Sequence, residues 1–491
     1  MALGAGRERR FADAFSTTKG EAAVAVIESN SVTIDSLIDD EERRFLARVP
    51  ESISRADEAS EVLAGGATSN WMISRPAPVW VSHGHGSHVW DVDGTEYVDL
   101  HGGYGVMVAG HANPAIVEAV QRRVTQGTHF AQPTDDSIVV ARELGRRFGL
   151  PLWRFNNSGT EATMDAVHLM RAITGRDFII KIEGSYHGHH DAVMVSQWRN
   201  LAMLGPADQP HRVASAGVPQ AMADLVHLVP YNDLDALERV LRDNSGSIAG
   251  MIMEPMMMNA GIIPPAPGYL EGVRRLTREH GVLLTFDEVK TGLSVHPGGS
   301  TGLFGVTPDI VCLAKALGGG LPCGAIGGTH EVMAAMSDGR YDQVGTFNGN
   351  PLMMAAARAM LTDVLTDDAY RDAARRSQTM FGRSMESLRQ HGVAGYGYAF
   401  AFKGSLVFGD APARNCRDFL AMDTGLSHLH FLVQHNGGVF MAPWGKSEQW
   451  TISPMHTDAD VDRFCANVER FAGLVASSDG HSHEYATGGF Y

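Results

Sequence analysis

From about residue 135 to residue 330 the chain alternates short apolar runs with stretches of helical spacing, and this constrains its fold more than any other feature. Ile138–Phe148, Glu161–Thr174 and Tyr269–Glu279 repeat their apolar residues at three- and four-residue intervals. Leu152–Asn156, Phe178–Ile182, Ile248–Glu254, Val282–Asp287 and Ile310–Ala314 read as buried strands. Strands alternating with helices form βαβ units and a largely parallel sheet. Such a sheet binds ligands beyond the carboxyl ends of its strands, so chemistry-bearing residues are expected directly after the apolar runs.

The flanks are organised differently. Val79–Ser82 is strand-like, and His83–Leu100 reads as a hairpin around Asp93-Gly94. Pro114–Gln126 is helical, Pro351–Leu365 opens a long helix, and 370–475 runs helix, strands, helix. The expected organisation is a partly disordered extension over 1–50, a segment over 51–110 that packs with the small domain, a large domain over 111–355, a small α+β domain over 356–475, and a tail over 476–491. Asp39–Arg48 has a helical look, and the tail is a candidate for ordering against a partner subunit.

Charge and composition exclude several classes. The net charge of −16 disfavours general binding to nucleic acid or an anionic membrane. No apolar run reaches about 18 residues, so no membrane-spanning helix is expected, and Met1–Arg10 lacks the pattern of a secretory signal. Cys312, Cys323, Cys416 and Cys465 form no C-x-x-C pair, which fits a reducing cytoplasm.

Four segments carry the chemistry. Asn157-Ser158-Gly159-Thr160-Glu161-Ala162 joins a strand to a helix, where free backbone N–H groups favour an anion such as phosphate; an ordinary helix cap would look similar. Asp287 ends an apolar strand, where a carboxylate needs a cationic partner such as a protonated pyridine nitrogen, and Val289 can pack on one ring face. Lys315 stands among apolar residues that disfavour its ammonium, so a neutral amine can form a Schiff base with an aldehyde. Thr346, in Gly345-Thr346-Phe347-Asn348-Gly349-Asn350-Pro351, offers a further phosphate hydrogen bond. Each has a bland reading alone; together they supply every handle that pyridoxal phosphate needs.

With these motifs the chain resembles the class III aminotransferases, pyridoxal-phosphate enzymes of fold type I, and most closely their glutamate-1-semialdehyde 2,1-aminomutase-like branch. The matching stretches are N-S-G-T-E-A at 157–162, T-G-R-D-F-I-I-K-I-E-G-S-Y-H-G-H at 174–189, P-Y-N-D-L at 230–234, F-D-E-V at 286–289, P-D-I-V-C-L-A-K-A-L-G-G-G-L-P-C-G-A at 308–325 and G-T-F-N-G-N-P at 345–351. The likeness runs from about Ser54 to about Val475. It implies an α/β large domain with a mostly parallel central sheet flanked by helices, plus a smaller α+β domain. It also implies Lys315 as Schiff-base lysine and Asp287 as partner of the pyridine nitrogen. Ser158, Gly159 and Thr160 would hold the phosphate, Tyr186 would stack on the ring with His187 beside it, and Glu254 and Asn259 would occupy pocket positions. Thr346 would reach the neighbouring subunit's phosphate, which implies a homodimer.

The substrate is less constrained. Glu448 matches an active-site glutamate of the aminomutases, but Met72 falls where they carry a carboxylate-binding arginine, and Asp342 where they carry a tyrosine, with Tyr341 adjacent. Arg75, Arg199 and Arg212 are candidate replacements for that arginine, and Trp71, Tyr104 and Trp198 could line a more apolar pocket. The expected reaction is transamination between a non-standard amine or amino acid, such as a β- or ω-amino acid, and a keto acid, with the aminomutase second. Two rivals from other classes are a metal-dependent hydrolase built on His187, His189, His190 and Asp191 or on His83, His85 and His88, and a non-catalytic scaffold. Neither histidine cluster has H-E-x-x-H spacing, and no metal is expected.

Overall fold

A computed structural model describes residues 32–197, 201–422, 424–442 and 448–479. Trp198, Arg199 and the extension and tail outside those limits lie beyond the described residues.

Strands β1 (Val81–His85), β2 (His88–Asp91) and β3 (Glu96–Asp99) form an antiparallel meander. The central sheet follows, built from β4 (Leu152–Asn156), β5 (Phe178–Ile182), β6 (Val226–Val229), β7 (Ile248–Met253), β8 (Leu283–Asp287), β9 (Ile310–Leu313) and β10 (Gly324–Gly328). Its order is β4-β10-β9-β8-β7-β5-β6, with β10 antiparallel to both neighbours and the other pairings parallel. Beyond it, β11 (Gly395–Ala399), β12 (Lys403–Phe408) and β14 (Glu448–Thr451) make an antiparallel sheet, while β13 (Val439–Phe440) returns to pair in parallel with β3.

The five strands read from the sequence all lie in the central sheet. Every residue of β7 is buried, as expected for a strand covered on both faces. Two strands escaped the reading. β6 is a four-residue edge strand interrupted by His227, and β10 is Gly-Ala-Ile-Gly-Gly, a composition depleted in strands. Its glycines answer a tertiary demand. A Cβ on Gly324 would stand 1.9 Å from Asn156 Oδ1, and one on Gly327 would stand 2.6 Å from the Trp153 ring.

The helix opened by Pro351 is shorter than the sequence suggests. It is α-helical over Pro351–Ala359, passes through a π turn at Met360–Val364, and gives way to Asp367–Gln390 after the Thr366 cap. The helical look of Asp39–Arg48 belongs to a longer helix, Ile34–Arg48, started by a capping box between Thr33 and Ser36. This helix is part of the packed fold. Phe45 is fully buried, its ring 4.3 Å from His435 and 6.2 Å from Phe431 in the helix Gly425–Asn436. Among the described residues no helix is long and apolar enough to cross a membrane.

Candidate active site

The parallel register aligns the ends of β5, β7, β8 and β9 along one edge of the sheet. Met253 pairs with Phe286, and Asp287 with Cys312. Glu254, Asp287 and Lys315 therefore emerge side by side, each at or just past a strand end. The β4 end and the start of the helix Gly159–Thr174 close the same edge, and the loop after β5 brings in Tyr186 and His187. The result is a cavity of about 360 Å³ lined by Asn157, Gly159, Thr160, Tyr186, His187, Gly188, Glu254, Asn259, Asp287, Val289 and Lys315, among others. Most of the predicted site thus converges on one void of ligand size.

Hydrogen bonds hold the polar side chains around Asp287, Glu254 and the helix start. Asp287 Oδ2 lies 2.8 Å from His187 Nδ1, and Asp287 Oδ1 accepts from Val289 N at 3.0 Å. His187 Nε2 in turn lies 2.9 Å from Ser185 Oγ, so the carboxylate and ring are fixed in one orientation. Glu254 accepts from Tyr186 N at 3.2 Å through one oxygen, and from Met258 N at 2.8 Å and Asn259 Nδ2 at 3.0 Å through the other. Ser158 caps the helix by accepting from Glu161 N at 3.1 Å, leaving Gly159 and Thr160 to face the cavity. Thr160 Oγ1 accepts from His189 N at 3.1 Å.

Gly159 is required by a close approach. A Cβ there would meet Val289 Cγ2 at 3.0 Å and Ala314 Cβ at 3.5 Å, so any larger residue would push the helix start away from the cavity. Lys315 adopts φ 47° directly after β9, a left-handed conformation that turns the chain into the short helix Lys315–Gly318. Burial lowers the pKa of its amine, against the opposing pull of Asp287 and Glu254. Burial, reinforced by Asp287, raises the Tyr186 phenol.

Other predicted residues lie elsewhere. Trp71 packs edge-on against Tyr104 at 5.0 Å and tilts against Tyr186 at 5.5 Å, and Tyr104 Oη donates to Trp71 O at 2.8 Å. These three rings form one aromatic wall that reaches the cavity through Tyr186. Met72 is 58% exposed and does not line the cavity. Asp342 and Thr346 are exposed, and neither lines this chain's cavity. Their loop is tied to the phosphate-loop candidate by Asn157 Nδ2 donating to Asn348 Oδ1 at 3.0 Å. Tyr341 turns inward, its hydroxyl donating to Asp165 Oδ1 at 2.6 Å. Glu448 opens β14, paired with Leu406, but its side chain lies outside the described residues.

Of the arginines suggested for a substrate carboxylate, neither Arg75 nor Arg212 lines the cavity, and Arg212 donates instead to Asp224 O at 3.0 Å. Among the described residues no group of three or more histidines, cysteines or carboxylates could hold a metal ion. Lys290 and Cys323 line the cavity although the sequence reading did not single them out. Lys290 carried a usable signal: a lysine three residues after a buried strand-end aspartate.

Comparison with known proteins follows the same line. The family model described as aminotransferase class-III matches residues 72–402. The chain belongs to the class-III aminotransferases. A curated relative, glutamate-1-semialdehyde 2,1-aminomutase 2 of Bacillus licheniformis, is 37% identical over 430 residues, which is 86% of this chain and 97% of that protein. An omega-transaminase from Sphaerobacter thermophilus superposes with a TM-score of 0.82 at 32% identity, covering 87% of this chain and 97% of that one. A beta-phenylalanine aminotransferase from Variovorax paradoxus superposes with a TM-score of 0.80 at 30% identity, covering 90% and 98%.

This class-III aminotransferase is therefore a pyridoxal-phosphate enzyme with the fold of that group. The cavity fits the cofactor. A buried primary amine, a carboxylate oriented by a histidine, and a helix start with a threonine hydroxyl all face one space, and Gly159 keeps its backbone open where a Cβ would collide.

Proposed function

We propose that this enzyme transfers an amino group between a non-standard amine or amino acid, of the β- or ω-amino acid type, and a keto acid. The observation that carries this reading is the join between the Lys315–Asp287 cavity and the Trp71–Tyr104–Tyr186 wall, at the segment where the aminomutases place an arginine and this chain has Met72. The likeness to an omega-transaminase and a beta-phenylalanine aminotransferase supports it.

When bound, pyridoxal phosphate supplies an aldehyde carbon and an electron-withdrawing ring. Lys315 Nζ, whose ammonium form burial disfavours, would be the amine that holds that carbon. Once freed, the same Nζ would take the proton from the substrate carbon and hand it to the carbon that ends bearing the amino group. Asp287, its carboxylate fixed by His187, would hold a proton on the ring nitrogen. Gly159 and Thr160 would hold the phosphate through the backbone and hydroxyl at the helix start, Val289 and Tyr186 would pack on the ring, and Glu254 and Asn259 would shape the remaining wall. Thr346, exposed between Val344 and Phe347, both exposed apolar residues, contributes to the neighbouring subunit's phosphate site, so the working unit is a homodimer. The enzyme acts in the cytoplasm.

A second reading, glutamate-1-semialdehyde 2,1-aminomutase, is favoured by the curated relative and by Glu448. One experiment separates the two. A panel of amines is mixed with enzyme with and without a keto acid while the absorbance of both cofactor forms is followed. Transamination requires the acceptor and accumulates the aminated cofactor without it. Efficient conversion of glutamate 1-semialdehyde to 5-aminolevulinate with no second substrate would replace the first reading by the second.

A further inference from the structure

Two lysines and two carboxylates line the cavity, but the carboxylates are held by other donors. Lys290 and Lys315 both line it, and among the described residues no arginine does. A third lysine, Lys403, lies behind them, fully enclosed, and donates to Thr451 Oγ1 at 2.8 Å. Gly105 makes room for it, since a Cβ there would stand 2.2 Å from its ammonium nitrogen. The two carboxylates of the cavity are already engaged: Asp287 by His187 and Val289 N, Glu254 by three N–H donors. Lys290 Nζ donates to Met258 O at 3.1 Å, and no carboxylate of the described residues lies within ion-pair distance of it. An ammonium has three donors, and a poorly compensated charge in such a site is costly.

The surroundings of Lys290 sharpen the point. Lys315 repels it and Glu254 attracts it, while Lys403 and His101 on the far side feel its charge in turn. Burial first, then Lys315, pulls its pKa down to about 7. An anionic guest would restore the charge. The phosphate candidate Gly159 abuts Val289 and Ala314, whereas Lys290 Nζ reaches Met258 O, so a guest that meets Lys290 is expected to carry a second anionic group.

We propose that Lys290 is the cationic anchor for the substrate's carboxylate, doing the work that an arginine at the position of Met72 would otherwise do; this rests on the aminotransferase reading above. The enzyme would then prefer amino acids over simple amines, and the specificity would arise from the charge of Lys290.

The test uses wild-type holoenzyme and the variants Lys290→Gln, Lys290→Met and Lys290→Arg. Calorimetry measures binding of 3-phenylpropionate and of its neutral amide, 3-phenylpropanamide. Single-turnover absorbance follows the first half-reaction with 3-amino-3-phenylpropanoate and with 1-phenylethylamine, which lacks the carboxylate. Loss of a charge-assisted contact is expected to weaken 3-phenylpropionate about 10- to 100-fold in Lys290→Gln and Lys290→Met, with the amide unchanged. The concentration for half-maximal rate should rise similarly for the carboxylate donor alone, its limiting rate staying within about threefold, as expected for lost uniform binding. Lys290→Arg should recover part of the affinity. Equal effects on charged and neutral probes, a change confined to the cofactor's absorbance, or no binding of 3-phenylpropionate to wild type at millimolar concentration would overturn the proposal. A wild type that shows probe discrimination but no half-reaction with any amine would instead overturn the aminotransferase reading and leave the anchor standing.

Discussion

Replacing Asp287 by asparagine tests the electronic core of the site while nearly preserving its shape. The carboxylate is 5% exposed, its Oδ1 accepts from Val289 N, and its Oδ2 lies 2.8 Å from His187 Nδ1. A carboxamide oxygen can keep the Val289 contact, and its NH₂ can face the histidine after a tautomer change, so folding should lose only about 1–2 kcal/mol. Catalysis should lose more. A charge pair at about 3 Å with an effective dielectric of about 20 interacts by roughly 5–6 kcal/mol. A neutral hydrogen bond retains about 1 kcal/mol of that. The difference, about 4 kcal/mol, corresponds to roughly a 10³-fold slower proton abstraction. Stopped-flow absorbance of a single half-reaction reads this step directly, and a thermal melt reports the fold. A variant that melts within a few degrees of wild type and reacts within about fivefold of its rate would refute the role given to Asp287.

The remaining expectations are simpler. Lys315→Ala should abolish turnover while still retaining cofactor without a covalent link, seen as no mass increase after borohydride reduction; full activity would remove Lys315 from the mechanism. Sedimentation at assay concentration should show a dimer, and an active monomer would rule out the Thr346 contribution across subunits. Gly324→Val should lower the melting temperature sharply and weaken cofactor binding, because the new side chain meets Asn156 Oδ1 and Ser158 O, at 1.9 and 2.4 Å from its Cβ; a normal melt would show that β10 can shift without moving the helix start. Phe45→Ala should cost about 3–5 kcal/mol in chemical denaturation if the helix Ile34–Arg48 unfolds together with the rest.

What the sequence determined by itself was whatever depends on local pattern. The apolar runs of β4, β5, β7, β8 and β9 marked the parallel strands because a strand buried on both faces must be apolar throughout. The strand-end positions of Asp287 and Lys315 marked the chemistry because a charge amid apolar residues needs a purpose or a partner. Tertiary structure decided the rest. β10 could not be read because its glycines are selected by Asn156 and Trp153 across the sheet, not by strand propensity. Tyr341, a neighbour of the expected tyrosine position, turns to Asp165, a choice fixed by a partner far away in sequence, and Arg212 donates to the Asp224 backbone oxygen instead of the cavity. Lys290 follows Asp287 by three residues in the sequence, but its setting was decided by the fold, which places it near Lys315 in a cavity whose carboxylates are held by other donors. A side chain's neighbours across the fold, unlike its neighbours along the chain, follow from the register of the sheet, and that register is a property of the whole packed molecule.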